Sequence, residues 1–278
     1  MTIRTGEVVP GSESPVGIGL SGAVRCTLRT GGALESVILK RQPLPKVLAE
    51  VFCAVLLRGW RIPVPEPFLV KELGGLAFAS AEASYPNLAQ RLGIESFAEG
   101  SPEHAQAART AAAIAVSLPS TPSALAADEA IDNRDRNLQN VLWDGEKELW
   151  IDHENALGNG NHMADANKLC MMAEALGRSG DLSQAAITAW TLLARTEPEA
   201  ARDLLAAHAD VSEQADFVAQ RLAGLGQMIY YRAHDRRYQH HAPVEAPVLG
   251  AGFRHRGAHH GGRHLPPLCR VADGPNPA

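Results

Sequence analysis

The amino-acid sequence predicts an α+β fold of two lobes: a mixed, β-rich N-terminal lobe over residues 1–80 and a helical C-terminal lobe over 81–235. A Pro/Gly/His/Arg-rich tail over 236–278 is expected to be disordered. Three observations lead to this. Short apolar runs punctuated by glycine dominate the first part, apolar residues recur at helical spacing after residue 100, and few apolar residues recur at any period beyond Asp235. With 45% hydrophobic and 21% charged residues, the 278-residue chain has the balance of a globular protein large enough for a sizeable core.

Taken in order, residues 20–40 read as a β-hairpin. The segments LSGAVRCTLR and ALESVILK flank Thr30-Gly31-Gly32, where glycine supplies the turn dihedrals, and the second strand ends at Lys40. Residues 46–60 (KVLAEVFCAVLLRGW) form a helix in which Glu50 is the only charge between Val47 and Leu57, so that carboxylate needs a partner. Ile62-Pro63-Val64-Pro65-Glu66-Pro67 stops the helix, because proline lacks the amide proton and biases its predecessor toward extended backbone. PFLV and LAFAS then read as a strand pair, and 104–118 as an alanine-rich helix broken by the prolines at 119 and 122.

A short helix (LAADEAI) leads into NRDRNLQ and two apolar strands, NVLW and ELWID, joined by Asp144-Gly145-Glu146-Lys147. Helices follow over about 165–176, 182–195, 198–208 and 214–232, with no internal repeat.

A net charge of −5 offers no general basic field, so neither direct nucleic-acid binding nor a membrane surface is expected. Cys26, Cys53, Cys170 and Cys269 are scattered without the spacing of a zinc knuckle or redox motif. No signal-like segment or spanning apolar run is present, and the expected location is cytoplasmic. Six of the eleven histidines fall in the tail without defined ligand spacing, which fits incidental metal binding.

The chemistry concentrates in Asp135-Arg136-Asn137-Leu138-Gln139-Asn140 and in Asp152, twelve residues after Asn140. Antiparallel pairing of NVLW with ELWID brings Asn140 and Asp152 to the same end of a hairpin. Mg²⁺ takes hard oxygen ligands and usually only one or two from protein, so Asn140 and Asp152 are the expected metal ligands. Asp135, just before, is placed to accept the proton of an attacking hydroxyl. Phosphoryl transfer also needs a fixed cation on the nucleotide phosphates, and Lys40 at a strand end, held by Glu50 on the next helix, supplies it. Two turns could cover the phosphates, Gly11-Ser12-Glu13-Ser14 and Gly17-Ile18-Gly19-Leu20-Ser21-Gly22, and the sequence does not choose between them. Taken singly, each of these residues has a plain reading as a helix cap, a surface ion pair or loop punctuation; the joint spacing favours the catalytic one.

This order of strand lysine, helix glutamate, proline break, D-R-x-x-x-N and strand aspartate resembles the HipA-like serine/threonine kinases and, more distantly, the phosphoinositide kinases. The likeness covers roughly residues 10–160, with Asn133, Asp135, Arg136 and Asn140 matching the family's catalytic loop and Asp152 its metal-binding aspartate. The resemblance implies a two-lobed protein-kinase-like fold, with ATP and Mg²⁺ as cofactors, Lys40 and Asp135 catalytic, and Lys40, Glu50, Asn140 and Asp152 at the nucleotide and metal. It also implies a protein serine or threonine hydroxyl as acceptor, and leaves room for a separate regulatory partner. The sequence departs from relatives at His153, where many protein kinases carry Phe-Gly, and at Asn137, where histidine is common. A small-molecule or lipid kinase on the same scaffold, and a pseudokinase acting as a binding module, remain alternatives.

Overall fold

The computed structural model describes residues 3–16, 22–160 and 167–234. The tail expected over 236–278, and residues 17–21 of the second glycine-rich turn, lie outside the described residues.

Alternation of side chains along the early strands builds a small closed barrel. Its strands are β1 (Arg4–Val8), β3 (Val24–Thr30), β4 (Ala33–Lys40), β5 (Pro67–Glu72) and β6 (Gly75–Ala81), and the short β2 (Ser14–Pro15) adds to β3. The neighbour order is β1-β5-β6-β4-β3, and β1 also pairs with β3 to close the ring. Closure leaves these strands no open edge between β1 and β3. Cys26, Leu28, Val37, Leu39, Phe68, Val70, Ala77 and Ala79 fill the interior, every second residue of four strands. The expected hairpin is present: Thr30 pairs with Ala33 across Gly31 and Gly32, whose φ values of 55° and 88° suit glycine in a two-residue turn. β1, not among the strands expected from the sequence, runs parallel to β5 and antiparallel to β3.

Helix α1 (Leu44–Gly59) starts on Pro43 with Pro45 in its first turn, where a missing amide proton costs nothing. It is apolar on nearly every face, and residues from Val47 to Leu57 are almost all buried. Such a helix needs cover all round. Leu69 and Phe78 of the barrel share a core with it, as do the helices that follow, and Trp60 Nε1 donates to the Ala194 carbonyl at 2.9 Å.

The second part is helical: α2 (Leu88–Arg91), α3 (Pro102–Ser117), α4 (Thr121–Ala130), α5 (Lys168–Ala175), α6 (Ser179–Leu192), α7 (Glu197–Leu205) and α8 (Ser212–His234). Between α4 and α5 lies the hairpin of β7 (Val141–Trp143) and β8 (Glu148–Trp150). The prolines after α3 do end that helix, but Pro122 also opens α4 in its first turn. Helix starts and ends differ from expectation by a few residues, as caps decide them: Asn167 caps α5 at its start, accepting from the Leu169 amide. No single described helix is long and apolar enough to cross a membrane.

Candidate active site

The site forms where the end of β4, the inner face of α1 and the β7–β8 hairpin meet. Lys40 is the last residue of β4 and pairs across the sheet with Phe78. Its Nζ lies 2.5 Å from Glu50 Oε1 on α1 and 2.7 Å from Asp152 Oδ1 just after β8. The partner that the buried Glu50 needs is therefore Lys40, and its second oxygen accepts from the backbone amide of His153 at 2.9 Å. Burial pushes the Glu50 carboxyl up, but Lys40 and His153 outweigh it and hold it well below the usual carboxylate range. Burial likewise opposes the Lys40 ammonium, and the two carboxylates overcome it, leaving Lys40 raised above an ordinary lysine. Asp152 moves the other way: burial, reinforced by Glu50 and Glu154, raises its carboxyl against the pull of Lys40.

Asp152 has a φ of 68°, a left-handed conformation that a non-glycine residue adopts only at a cost. What holds it there is a buried scaffold. Arg136 is fully buried; its Nε and Nη2 grip both oxygens of Asp128 at 3.0 and 2.7 Å, and its Nη1 donates to the Ile151 carbonyl at 2.5 Å. The guanidinium also faces the Trp150 ring, 5.5 Å from its centroid. Asn133 donates to the same Asp128 carboxylate and accepts from the Asp135 amide, which curls the loop. Asp128 and Arg136 thus tie α4, the loop from Asn133 to Arg136 and the strand end before Asp152 into one unit.

Asn140 precedes β7, and its Nδ2 donates to the Asp135 carbonyl at 2.8 Å. That fixes the orientation of the amide, with its nitrogen turned to the loop backbone. The Ile151 amide donates to the Asn140 carbonyl at 3.1 Å, which brings Asn140 and Asp152 to the same end of the hairpin as their spacing predicts. Both line a cleft of about 830 Å³ together with Lys40 and Glu50. Apolar side chains of Ile38, Phe78, Leu142 and Ile151 line it too, as does the connecting segment from Glu82 to Asn87. Of the two glycine-rich turns, Gly11-Ser12-Glu13-Ser14 is tied into the barrel, with Ser12 Oγ donating to the Val9 carbonyl and accepting from the Thr27 amide, and does not line the cleft. Val16 and Ala23, on either side of the second turn, do line it.

Two residues that sequence reasoning missed belong here. Glu154 accepts from Lys46 at 3.0 Å and from Gln42, and lies 3.6 Å from Lys40. One of its oxygens lies with one from Glu50 and one from Asp152, all within 4.8 Å of one another. Lys168, the first residue of α5, forms an ion pair with Asp135. Only its place at the start of a capped helix, 33 residues beyond Asp135, could have suggested it.

Carboxylate oxygens of Glu50, Asp152 and Glu154, one from each, converge within 4.8 Å of one another, and Asn140 lines the same cleft. This donor chemistry fits a divalent cation such as Mg²⁺.

Neither a family model nor a curated protein matches the sequence. Among solved structures, the Helicobacter pylori proinflammatory kinase CtkA matches with a TM-score of 0.50 at 13% identity, over 86% of this chain and 99% of its own. The Shewanella oneidensis toxin–antitoxin HipA, solved with HipB and its operator DNA, matches with a TM-score of 0.46 at 15% identity, over 84% of this chain and 66% of its own. The likeness to CtkA is one of fold. The kinase-like fold implied by the sequence resemblance is therefore borne out at that level.

Proposed function

We propose that the protein is an ATP- and Mg²⁺-dependent phosphotransferase of the HipA-like kind, which transfers the γ-phosphoryl group to a serine or threonine hydroxyl of a protein. The observation that carries this reading is the meeting of Lys40, Glu50 and Asp152 in one cleft that Asn140 also lines, with Asn140 Nδ2 bonded to the backbone carbonyl of Asp135.

In this reading the barrel with α1 forms an N-terminal lobe to about residue 80, the helices form a second lobe to about residue 235, and ATP lies between them. The adenine ring occupies the apolar part of the cleft against Ile38, Phe78, Leu142 and Ile151. Lys40, oriented by Glu50, turns from Asp152 to the α- and β-phosphates. Bound Mg²⁺ supplies neutralisation of the phosphate charge, with Asp152 and Asn140 as its protein ligands.

The acceptor oxygen attacks the γ-phosphorus while the bond from that phosphorus to the β–γ bridging oxygen breaks, and ADP leaves with the electron pair. The hydroxyl proton passes to an Asp135 carboxylate oxygen. Catalysis of this kind is positioning and charge stabilisation, which is what the buried Asp128–Arg136 scaffold provides for Asp135 and Asp152.

The test is transfer of labelled γ-phosphate with and without Mg²⁺, by the parent protein, Asp135→Ala and Asp152→Ala, onto protein and small-molecule acceptors. Mg²⁺-dependent transfer to protein that both substitutions abolish is the expected result. Transfer only to a small molecule would replace the acceptor assignment, and nucleotide binding without any transfer would favour a binding module.

A further inference from the structure

Beside the candidate base stands a cation that neither helix formation nor fold stability explains. Lys168 pairs with Asp135 although the two side chains are 39% and 36% exposed, and ion pairs this open add little to stability. Lys168 also occupies the first turn of α5, where free backbone amides favour anions and a cation is out of place. Yet its backbone is held firmly. The buried Asn167 accepts from the Leu169 amide at 2.9 Å and donates to Glu129 of α4 at 3.2 Å, and Leu169 and Met172 anchor the helix in the core.

The other cations near the loop are engaged. Arg136 is buried on Asp128, Arg134 is bound to Asp132 at 2.9 Å, and Lys40 is shared between Glu50 and Asp152. Asn137, two residues after Asp135, is neutral and its Oδ1 accepts from the Gln139 amide at 2.8 Å. Lys168 is the cation whose partner is the base itself.

We propose that Lys168 is a catalytic residue of the phosphoryl transfer: its ammonium leaves Asp135 for the γ-phosphoryl oxygens when ATP is bound, neutralising them and freeing Asp135 to take the hydroxyl proton. The distances allow it. An acceptor hydroxyl in hydrogen-bond reach of Asp135 puts its oxygen ~3 Å away, and in-line attack puts the phosphorus ~3–3.5 Å beyond that oxygen. The phosphoryl oxygens therefore fall within the swing of a lysine that already touches the carboxylate. Lys168 keeps its proton throughout, so the balance of the transfer step is unchanged.

The inference rests on the kinase reading, and its test separates the two. The full chain and the variants Lys168→Met and Lys168→Arg are titrated by calorimetry with ADP and with the non-hydrolysable imido analogue of ATP, and assayed for transfer. In Lys168→Met, ADP affinity stays within about twofold of the parent, while the analogue, with its γ-phosphoryl group, binds about tenfold more weakly. The transfer rate falls about 100-fold, and arginine restores most of it. Equal binding of both ligands and a transfer rate within about twofold of the parent would reduce Lys168 to a surface ion pair, while leaving the kinase reading intact. A parent that binds neither ligand overturns both.

Discussion

Lys40 Nζ donates to Asp152 Oδ1 at 2.7 Å across 112 residues of chain, joining the end of a barrel strand to the end of the β7–β8 hairpin. The same nitrogen bonds to Glu50, whose second oxygen holds the backbone of His153. One lysine therefore sets the relation of three segments, and its removal has structural as well as chemical consequences. Lys40→Met leaves Glu50 buried without its counter-charge, which is expected to cost about 3–5 kcal/mol in urea unfolding. Lys40→Met combined with Glu50→Gln should recover a large part of that stability and none of the transfer activity. Equal loss in the single and double variants would show that the pair does not act as a unit.

The Arg136–Asp128 pair offers a second test of the scaffold. Arg136→Lys keeps the charge but loses the two-pronged grip on Asp128 and the reach to the Ile151 carbonyl. Destabilisation of about 2–4 kcal/mol is expected, together with a fall in transfer rate, because the strand end before Asp152 loses its anchor. Thermal melting and single-turnover transfer measure the two effects separately.

Glu50 makes stability depend on acid. Its carboxyl lies below the ordinary value of 4.5, so its contribution is fully present above that pH and is lost as pH falls through the lower folded value. Stability should decline steeply below about pH 4.5, and Glu50→Gln should flatten that limb while lowering the plateau. An unchanged acid limb in Glu50→Gln would place the titrating group elsewhere.

Asp152 has the opposite sign. Its raised carboxyl contributes stability below the ordinary value of 3.8 that is lost as pH rises through the higher folded value. A divalent cation bound there compensates the ionised form. Stabilisation of the nucleotide complex by Mg²⁺ should therefore grow as pH rises from about 4 toward 7, and Asp152→Asn should remove most of that growth. Melting temperatures across a pH series with and without Mg²⁺ measure it.

The helical part has its own sensitive point at Gly226 of α8. A Cβ added there would stand 2.5 Å from Cζ3 of Trp190 on α6. Alanine improves helix propensity by about 1 kcal/mol, but the displaced indole should outweigh this, for a net loss of about 1–2 kcal/mol in denaturant unfolding. A stabilised Gly226→Ala variant would mean that Trp190 moves without cost.

Much of the site is legible in residue order because its parts lie close in sequence. Asp135, Asn140 and Asp152 sit on one loop and one hairpin, so two-residue periodicity and a turn at Asp144-Gly145 suffice to bring Asn140 and Asp152 to one end. Lys40 and Glu50 are likewise separated by a single strand-to-helix step, and the lone charge on an apolar helix announces its need for a partner. Barrel closure had no such local signal. β1 is half-exposed, with no buried residue in its span, and it owes its place to hydrogen bonds with β3 and β5, the latter more than sixty residues away. Lys168 and Glu154 are equally silent in the chain, since a surface-type charge acquires meaning only from what folding sets beside it. Local pattern thus determines which groups are chemically equipped, because side-chain period and turn chemistry act over a few residues. Which distant charge meets Asp135, and which strand closes the barrel, depends on contacts whose energy exists only once the whole chain has packed.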